Sequence, residues 1–183
     1  MSYTWIIIRT VLLAPWLGYL CFCDAKSRRL PNVWTMGGLA AGLALQSGWW
    51  GWGGFKDGLA AAGVGVLFLL LPYYFKGVGA GDVKMVAACG SFLGLRAMPH
   101  FLMSMSFGGF FVLLWMIATR RAMTARLKHL FRCLFDWRYD RQAAKAALPS
   151  KTDERSRVPY GIAIAIGTLA TLAVEAALVK AKG

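Results

Sequence analysis

Acidic residues are scarce in this sequence: only 8 of its 183 residues are Asp or Glu, against 21 Lys or Arg. Histidine occurs twice, and the four cysteines, Cys21, Cys23, Cys89 and Cys133, form no C-x-x-C pair. A zinc site needs ligands clustered at short spacing. The sequence therefore predicts no metal site and no cofactor, and the cysteines are interpreted as free thiols.

Long polar stretches are also missing, apart from residues 120–157, so we expect no separate soluble domain. The chain is 58% hydrophobic, its mean hydropathy is +0.53, and apolar runs long enough to cross a bilayer recur along it. The first run has neither a basic start nor an A-x-A cleavage site, and we interpret it as a retained span. The predicted fold is an all-α, polytopic membrane protein, with residues 1–183 as one domain.

The apolar runs predict about six transmembrane helices, near residues 3–23, 33–48, 59–74, 83–95, 101–118 and 160–179. The tryptophans and glycines between residues 48 and 54 favour a loop at the membrane boundary between the second and third helices. Arg9 is expected to snorkel towards the headgroups. Glu175 is expected to reach water or Lys180, and Gly108-Gly109 to loosen or kink the fifth helix.

The basic residues indicate an orientation. Sixteen of the 21 fall in the segments after the first, third and fifth predicted helices, counting Lys84 at the very start of the fourth. The positive-inside rule places those segments in the cytoplasm and both termini outside. We therefore interpret the net charge of +13 as a signal that sets the orientation in the membrane, and not as a surface that binds nucleic acid. The basic segment 120–157 is predicted to be cytoplasmic, either as an amphipathic helix on anionic lipid or as a loop helix packed on the spans.

Two acidic residues, Asp24 and Asp82, lie at the ends of predicted helices on this same cytoplasmic face. Paired carboxylates share one proton, so one member can take a proton from water while the other donates to a carbonyl. The motif around Asp82 is Gly79-Ala80-Gly81-Asp82. Its glycines leave room beside the carboxylate and tolerate unusual dihedrals, and Pro31 fixes the turn after Asp24. The alternative is structural: Asp82 caps a helix and Asp24 ends one near the headgroups.

Three patches of sequence together resemble the type 4 prepilin peptidase family, membrane aspartyl proteases of the GxGD class. They are Asp24 followed by Pro31-Asn32, Gly79-Ala80-Gly81-Asp82-Val83-Lys84 running on to Gly90, and Val158-Pro159-Tyr160-Gly161-Ile162-Ala163. The resemblance implies a bacterial inner-membrane location and a prepilin substrate with a basic leader before an apolar helix. It implies that Asp24 and Asp82 are catalytic. It also implies that a further set of residues shapes the active site or binds substrate: Pro31, Asn32, Gly79, Gly81, Lys84, Pro159, Tyr160 and Gly161.

The sequence departs from larger family members, which carry a cysteine-rich cytoplasmic insertion associated with N-methylation. Here residues 24–32 form a nine-residue loop instead, as in the minimal form found with tight-adherence (Flp) pili, so methylation is not expected. Lys84 is interpreted equally as a contact for a substrate glutamate or as charge balance for Asp82. Two other functions stay open: a proton- or cation-coupled transporter or channel subunit using the same aspartates, and a non-catalytic assembly protein.

Overall fold

The structure is a computed structural model that describes residues 3–27, 30–74, 78–119 and 160–182. Within these ranges the chain is helical and contains no strand, which confirms the all-α prediction. The elements are α1 (Tyr3–Ser27), α2 (Asn32–Tyr74), α3 (Ala80–Leu93), a 3-10 turn (Leu95–Ala97), α4 (Met98–Thr119) and α5 (Tyr160–Lys182). The segment predicted to be a basic amphipathic or loop helix, residues 120–157, lies outside the described residues.

The number of membrane spans was predicted as six, and the described helices give a range. Among the described helices, three are long and apolar enough to cross a membrane, and four if the bent pair 80–93 and 95–112 counts as one span. That bend measures 113°. The predicted total of six is therefore not confirmed. The prediction of a multi-pass helical membrane protein holds.

The predicted boundary between the second and third spans is present, but as a sharp break in α2 at Gly51 (φ 61°, ψ −147°) and not as a loop of several residues. A Cβ built on Gly58 would lie 3.3 Å from Leu43 Cδ2. In a straight helix these residues, fifteen positions apart, would be separated by about 22 Å. The chain therefore folds back on itself at Gly51. Each arm of α2, 32–50 and 52–74, has roughly the 30 Å length of a bilayer crossing.

Helix α3 packs against both arms of α2 through positions with little or no side chain. A Cβ built on Gly90 would lie 2.9 Å from Ala61 O in the second arm, and one on Gly42, in the first arm, would lie 2.9 Å from Phe92 Cδ2. Small residues allow such close backbone approach in lipid, where packing is a main source of helix association. The residues of α3 from Met85 to Leu93 are all buried. α3 is thus the central element of the described bundle.

Arg9 does not snorkel, contrary to the expectation. Its side chain is fully buried, and Nη2 lies 2.5 Å from Glu175 Oε2. Nη1 donates to Leu93 O at 3.0 Å, at the C-terminal end of α3. A charge in an apolar interior is costly unless it is paired and hydrogen-bonded, which explains why Arg9 turns inward. Glu175 accordingly pairs with Arg9 instead of reaching for water or Lys180.

Gly108 and Gly109 do not kink α4, which runs unbroken from Met98 to Thr119. They are contact points with α5: a Cβ on Gly108 would lie 3.3 Å from Ala163 O, and one on Gly109 would lie 3.0 Å from the Tyr160 hydroxyl. Further along, Gly167 of α5 packs closely on Met105. These contacts fix the first two turns of α5 against the middle of α4.

The fold-back of α2 generates the first prediction. Gly51→Ala places a side chain at a backbone conformation that is essentially restricted to glycine, so we expect a loss of about 1–3 kcal/mol of stability. Thermal unfolding in detergent, followed by tryptophan fluorescence, measures this as a lower Tm. Gly53→Ala is the matched control, since nothing lies within 4 Å of its built Cβ. Equal Tm values for the two variants would contradict a strained break at Gly51.

Candidate active site

Four helix ends meet at one end of the bundle: the end of α1 and the starts of α2, α3 and α5. Gly161 N of α5 donates to Asp24 Oδ2 of α1 at 3.1 Å. Lys84 Nζ of α3 donates to Asn32 Oδ1 of α2 at 2.8 Å. A Cβ on Gly81 would lie 3.0 Å from Leu30 Cβ. The structure therefore places Asp24, in the last turns of α1, and Asp82, in the first turn of α3, at the same end.

Asp24 is buried, with 6% of its surface exposed. Its hydrogen bond comes from the first turn of α5, where backbone N–H groups are unpaired within the helix and carry partial positive charge. Cys21 Sγ donates to Gly161 O at 3.6 Å, from one turn earlier in α1. The carboxylate is thus bound to the beginning of another helix and not left at the headgroups.

Gly161 is required for this contact. A Cβ built there would lie 2.7 Å from Asp24 Oδ2 and 3.2 Å from its Cγ. Any larger residue would push the carboxylate away from the N–H that binds it. Glycine at this position therefore serves close approach.

Asp82 is 9% exposed and is the third residue of α3. Its Oδ2 accepts a hydrogen bond from Gly79 N at 3.0 Å, which is the third-residue half of a capping box. The helix-capping alternative is therefore partly right: Gly79 is the N-cap residue, and Asp82 bonds to it. This bond orients the carboxylate.

The two glycines of the motif provide space rather than unusual dihedrals. Gly79 has φ −82° and ψ 155°, an extended conformation open to any residue. A Cβ on it would lie 3.3 Å from Asp82 Oδ2, tighter than most such contacts. Gly81 lies under Leu30, as described above. The absence of a side chain leaves space beside Asp82 at Gly79 and space for Leu30 at Gly81, and neither glycine has the unusual dihedrals that were expected.

Tyr160 and Gly161 begin α5 at the same end of the bundle as the two carboxylates. Gly161 N donates to Asp24 Oδ2, and Tyr160 is half-buried near Asp82. The start of α5 therefore lies beside both aspartates. Pro159, the third member of that patch, lies outside the described residues.

Lys84, Asn32 and Pro31 form the neighbouring edge of the site. The Lys84–Asn32 hydrogen bond ties α3 to the start of α2, and Pro31 O accepts from Thr35 N at 3.2 Å in the first turn of α2. Neither proposed role of Lys84, substrate contact or charge balance, is decided by this bond. It does show that Lys84 lies at the same end of the bundle as both aspartates.

The site has no evident metal centre in the part of the chain that is described, where no three His, Cys, Asp or Glu side chains lie close enough to hold an ion. The expectation of a metal-free, cofactor-free site stays a prediction. Two buried carboxylates at one end of a bundle can bind and activate a water molecule, or bind a proton or cation.

Comparison with known proteins assigns the family. A family model described as the type IV leader peptidase family matches residues 11–117, more than half of the chain. The chain belongs to this family. The matched region contains Asp24 and Asp82, and the resemblance noted in the sequence is confirmed.

Two curated relatives are both described as prepilin leader peptidase/N-methyltransferase. The protein from Myxococcus xanthus is 34% identical over 129 residues, covering 66% of this chain and 38% of that protein. The protein from Neisseria gonorrhoeae is 32% identical over 108 residues, covering 54% of this chain and 36% of that protein. The matches thus span well under half the length of either relative. No solved structure matches the chain significantly.

The sequence contains a signal for the pairing of Arg9 with Glu175, which the expectation that Arg9 snorkels did not take into account. Each is the only charged residue within a predicted span, and their charges are opposite. Charged residues inside membrane spans normally pair with one another. Considering the two together would have predicted that the first and last described helices are neighbours.

The Gly161–Asp24 contact generates the second prediction. Gly161→Ala should displace the Asp24 carboxylate and break a buried hydrogen bond, costing about 1–3 kcal/mol and lowering the Tm. In Gly18→Ala nothing lies within 4 Å of the added Cβ, so its Tm should be unchanged or slightly higher. A Gly161→Ala variant as stable as Gly18→Ala would contradict the observed contact.

Proposed function

We propose that this chain is a membrane aspartyl endopeptidase that removes the short basic leader from prepilin-like substrates. The observation that carries the proposal is the placement of two buried aspartates at one end of the bundle, where Gly161 N binds Asp24 and Gly79 N binds Asp82. Family membership supports prepilin processing. The active-site end is the cytoplasmic face of the bacterial inner membrane, and residues 1–183 act as a single peptidase domain.

In the proposed mechanism, Asp24 and Asp82 share one proton. The ionised carboxylate takes a proton from a water molecule, whose oxygen attacks the carbonyl carbon of the scissile peptide bond. The protonated carboxyl donates a hydrogen bond to the carbonyl oxygen, which becomes negative as the bond forms. A proton then passes to the leaving nitrogen, the C–N bond breaks, and the carboxyl group of the leader and the amine of the mature pilin are released.

The surrounding backbone prepares the pair for this reaction. Gly161 N holds Asp24, and Gly79 N holds Asp82, so neither carboxylate has to be reoriented before water attacks. The absence of a side chain at Gly79 leaves room for a substrate backbone beside Asp82. Lys84, positioned by Asn32, is available to a glutamate shortly after the cleavage site.

The distribution of charge and the length of one loop are the basis for proposing the lipid contacts, the topology and the absence of methylation. The basic segment 120–157 contacts anionic lipid headgroups, both termini are outside, and nucleic acid is not a partner. The short connection between Asp24 and Asn32 leaves no room for a cysteine-rich insertion. We therefore propose the minimal, Flp-type form of the enzyme, without N-methyltransferase activity.

A proton- or cation-coupled transporter is the alternative from another class. Such a protein would hold its carboxylates near the middle of the bilayer, at breaks in spanning helices. Asp24 and Asp82 instead lie at helix ends on one side of the bundle. The geometry favours the peptidase.

The proposal predicts that Asp24→Asn and Asp82→Asn each abolish cleavage of a co-expressed prepilin, because an amide can neither accept the proton of water nor supply one. A mobility shift of the prepilin measures cleavage, and mass spectrometry of the product measures N-methylation, which we expect to be absent. Asp57→Asn is the matched control and should retain cleavage: Asp57 lies at the other end of the bundle, and Asn can still accept the hydrogen bond from Leu95 N. Full processing by either active-site variant would rule out the paired mechanism.

A further inference from the structure

The most elaborate polar contact of the described bundle lies far from the candidate site. The buried guanidinium of Arg9 makes an ion pair with Glu175, at 2.5 Å, and hydrogen bonds to two carbonyls of α3, Leu93 O at 3.0 Å and Phe92 O at 3.5 Å. It also lies 5.3 Å from the centroid of the Trp5 ring. One side chain thus joins α1, α3 and α5.

These are three of the four helices whose ends form the candidate site. Arg9 precedes Asp24 on α1 by fifteen residues, Leu93 follows Asp82 on α3 by eleven, and Glu175 follows Gly161 on α5 by fourteen. At 1.5 Å per residue the two ends of the bundle are about 16–22 Å apart. The three helices are therefore held together at two places, at one end of the bundle around Asp24 and Asp82 and at the other end by Arg9.

The chemistry of an arginine suits the end of α3. The last carbonyls of a helix have no partner within the helix and carry partial negative charge. Here α3 ends inside the bundle, where Gln46 Nε2 donates to Phe92 O at 3.4 Å and Arg9 donates to both Phe92 O and Leu93 O. A guanidinium can hold carbonyls and a carboxylate at once because its donors form a fixed fork.

We propose that Arg9 is a positioning residue for Asp82: by holding the C-terminal carbonyls of α3, it fixes α3 along its axis and thereby sets the separation between Asp82 and Asp24. This inference rests on the proposed function. It makes Arg9 a determinant of turnover although it is about 22 Å from Asp24 along α1 and contacts no substrate.

A purely structural ion pair between α1 and α5 is the competing explanation, and the two differ in which partner matters. If catalysis requires α3 to be held in place, kcat depends on the hydrogen bonds that Arg9 donates to the carbonyls of α3, and removing the charge of Glu175 has a smaller effect on kcat. If only the pair matters, removing either partner has the same effect on the amount of folded protein, and the folded fraction keeps its turnover.

The test measures kcat and KM for prepilin cleavage in detergent, per mole of monodisperse protein from size exclusion. Arg9→Met should lower kcat about 100-fold, the effect of a displacement of about 1 Å at reacting groups, and leave KM within about twofold. Glu175→Gln leaves the hydrogen bonds from Arg9 to Phe92 O and Leu93 O in place, so its kcat should fall much less. Arg9→Lys should fall between them, because a single ammonium keeps a charge and a donor but not the fork.

Two further variants complete the set. The exchange Arg9→Glu with Glu175→Arg restores opposite charges but puts a carboxylate against the carbonyls of α3, so kcat should stay low. Thr171→Val is the matched control: Thr171 is buried on α5 and its hydroxyl donates to Gly167 O of the same helix at 2.7 Å. Its kcat should equal that of the wild type.

Recovery of kcat in the exchanged variant would overturn the inference. So would an equal loss of folded protein in Arg9→Met and Glu175→Gln, if the folded fraction of each variant kept the kcat of the wild type. If Arg9→Met does not fold, Arg9→Lys, Glu175→Gln and the exchanged variant decide between the two explanations. Failure of the proposed function looks different: wild-type protein would then not cleave prepilin at all.

Discussion

The position of α3 is the constraint on which the rest of the structure depends. In lipid, every backbone N–H and C=O must find a partner within the protein. α3 has 14 residues, about 21 Å of helix, too few to cross a bilayer alone. It begins at Gly79, whose N–H binds Asp82, and ends at carbonyls bound by Arg9 and Gln46. Because both ends are held, Asp82 occupies one defined place.

The start of α5 plays the same part for Asp24. A buried carboxylate needs hydrogen bonds to offset the loss of water, and the first turn of a helix supplies unpaired N–H groups. Only a residue without a side chain lets α5 come this close, as the 2.7 Å contact at Gly161 shows. Close packing between helices and the chemistry of the site are therefore served by the same glycine.

Much of this followed from the sequence, because spacing and composition are local properties. The runs of apolar residues predicted helices, and the G-x-G-D motif with Asp24 and Tyr160-Gly161 indicated the family. Long-range contacts did not follow. The inward turn of Arg9, for example, depends on Glu175, 166 residues away. The dihedrals of Gly79 were misjudged because its role is to leave space.

The central claim is that Asp24 and Asp82 come within reach of one water molecule at one face of the membrane. Asp24→Cys and Asp82→Cys, in a chain whose native cysteines are replaced by alanine, test it directly with a short bifunctional thiol reagent applied to membranes. Bridging of the two thiols, seen as a mobility shift, is the expected result. The pair Ala25→Cys with Asp82→Cys should bridge poorly, because adjacent helical positions point about 100° apart. No bridging of the first pair, or equal bridging of both, would contradict the account.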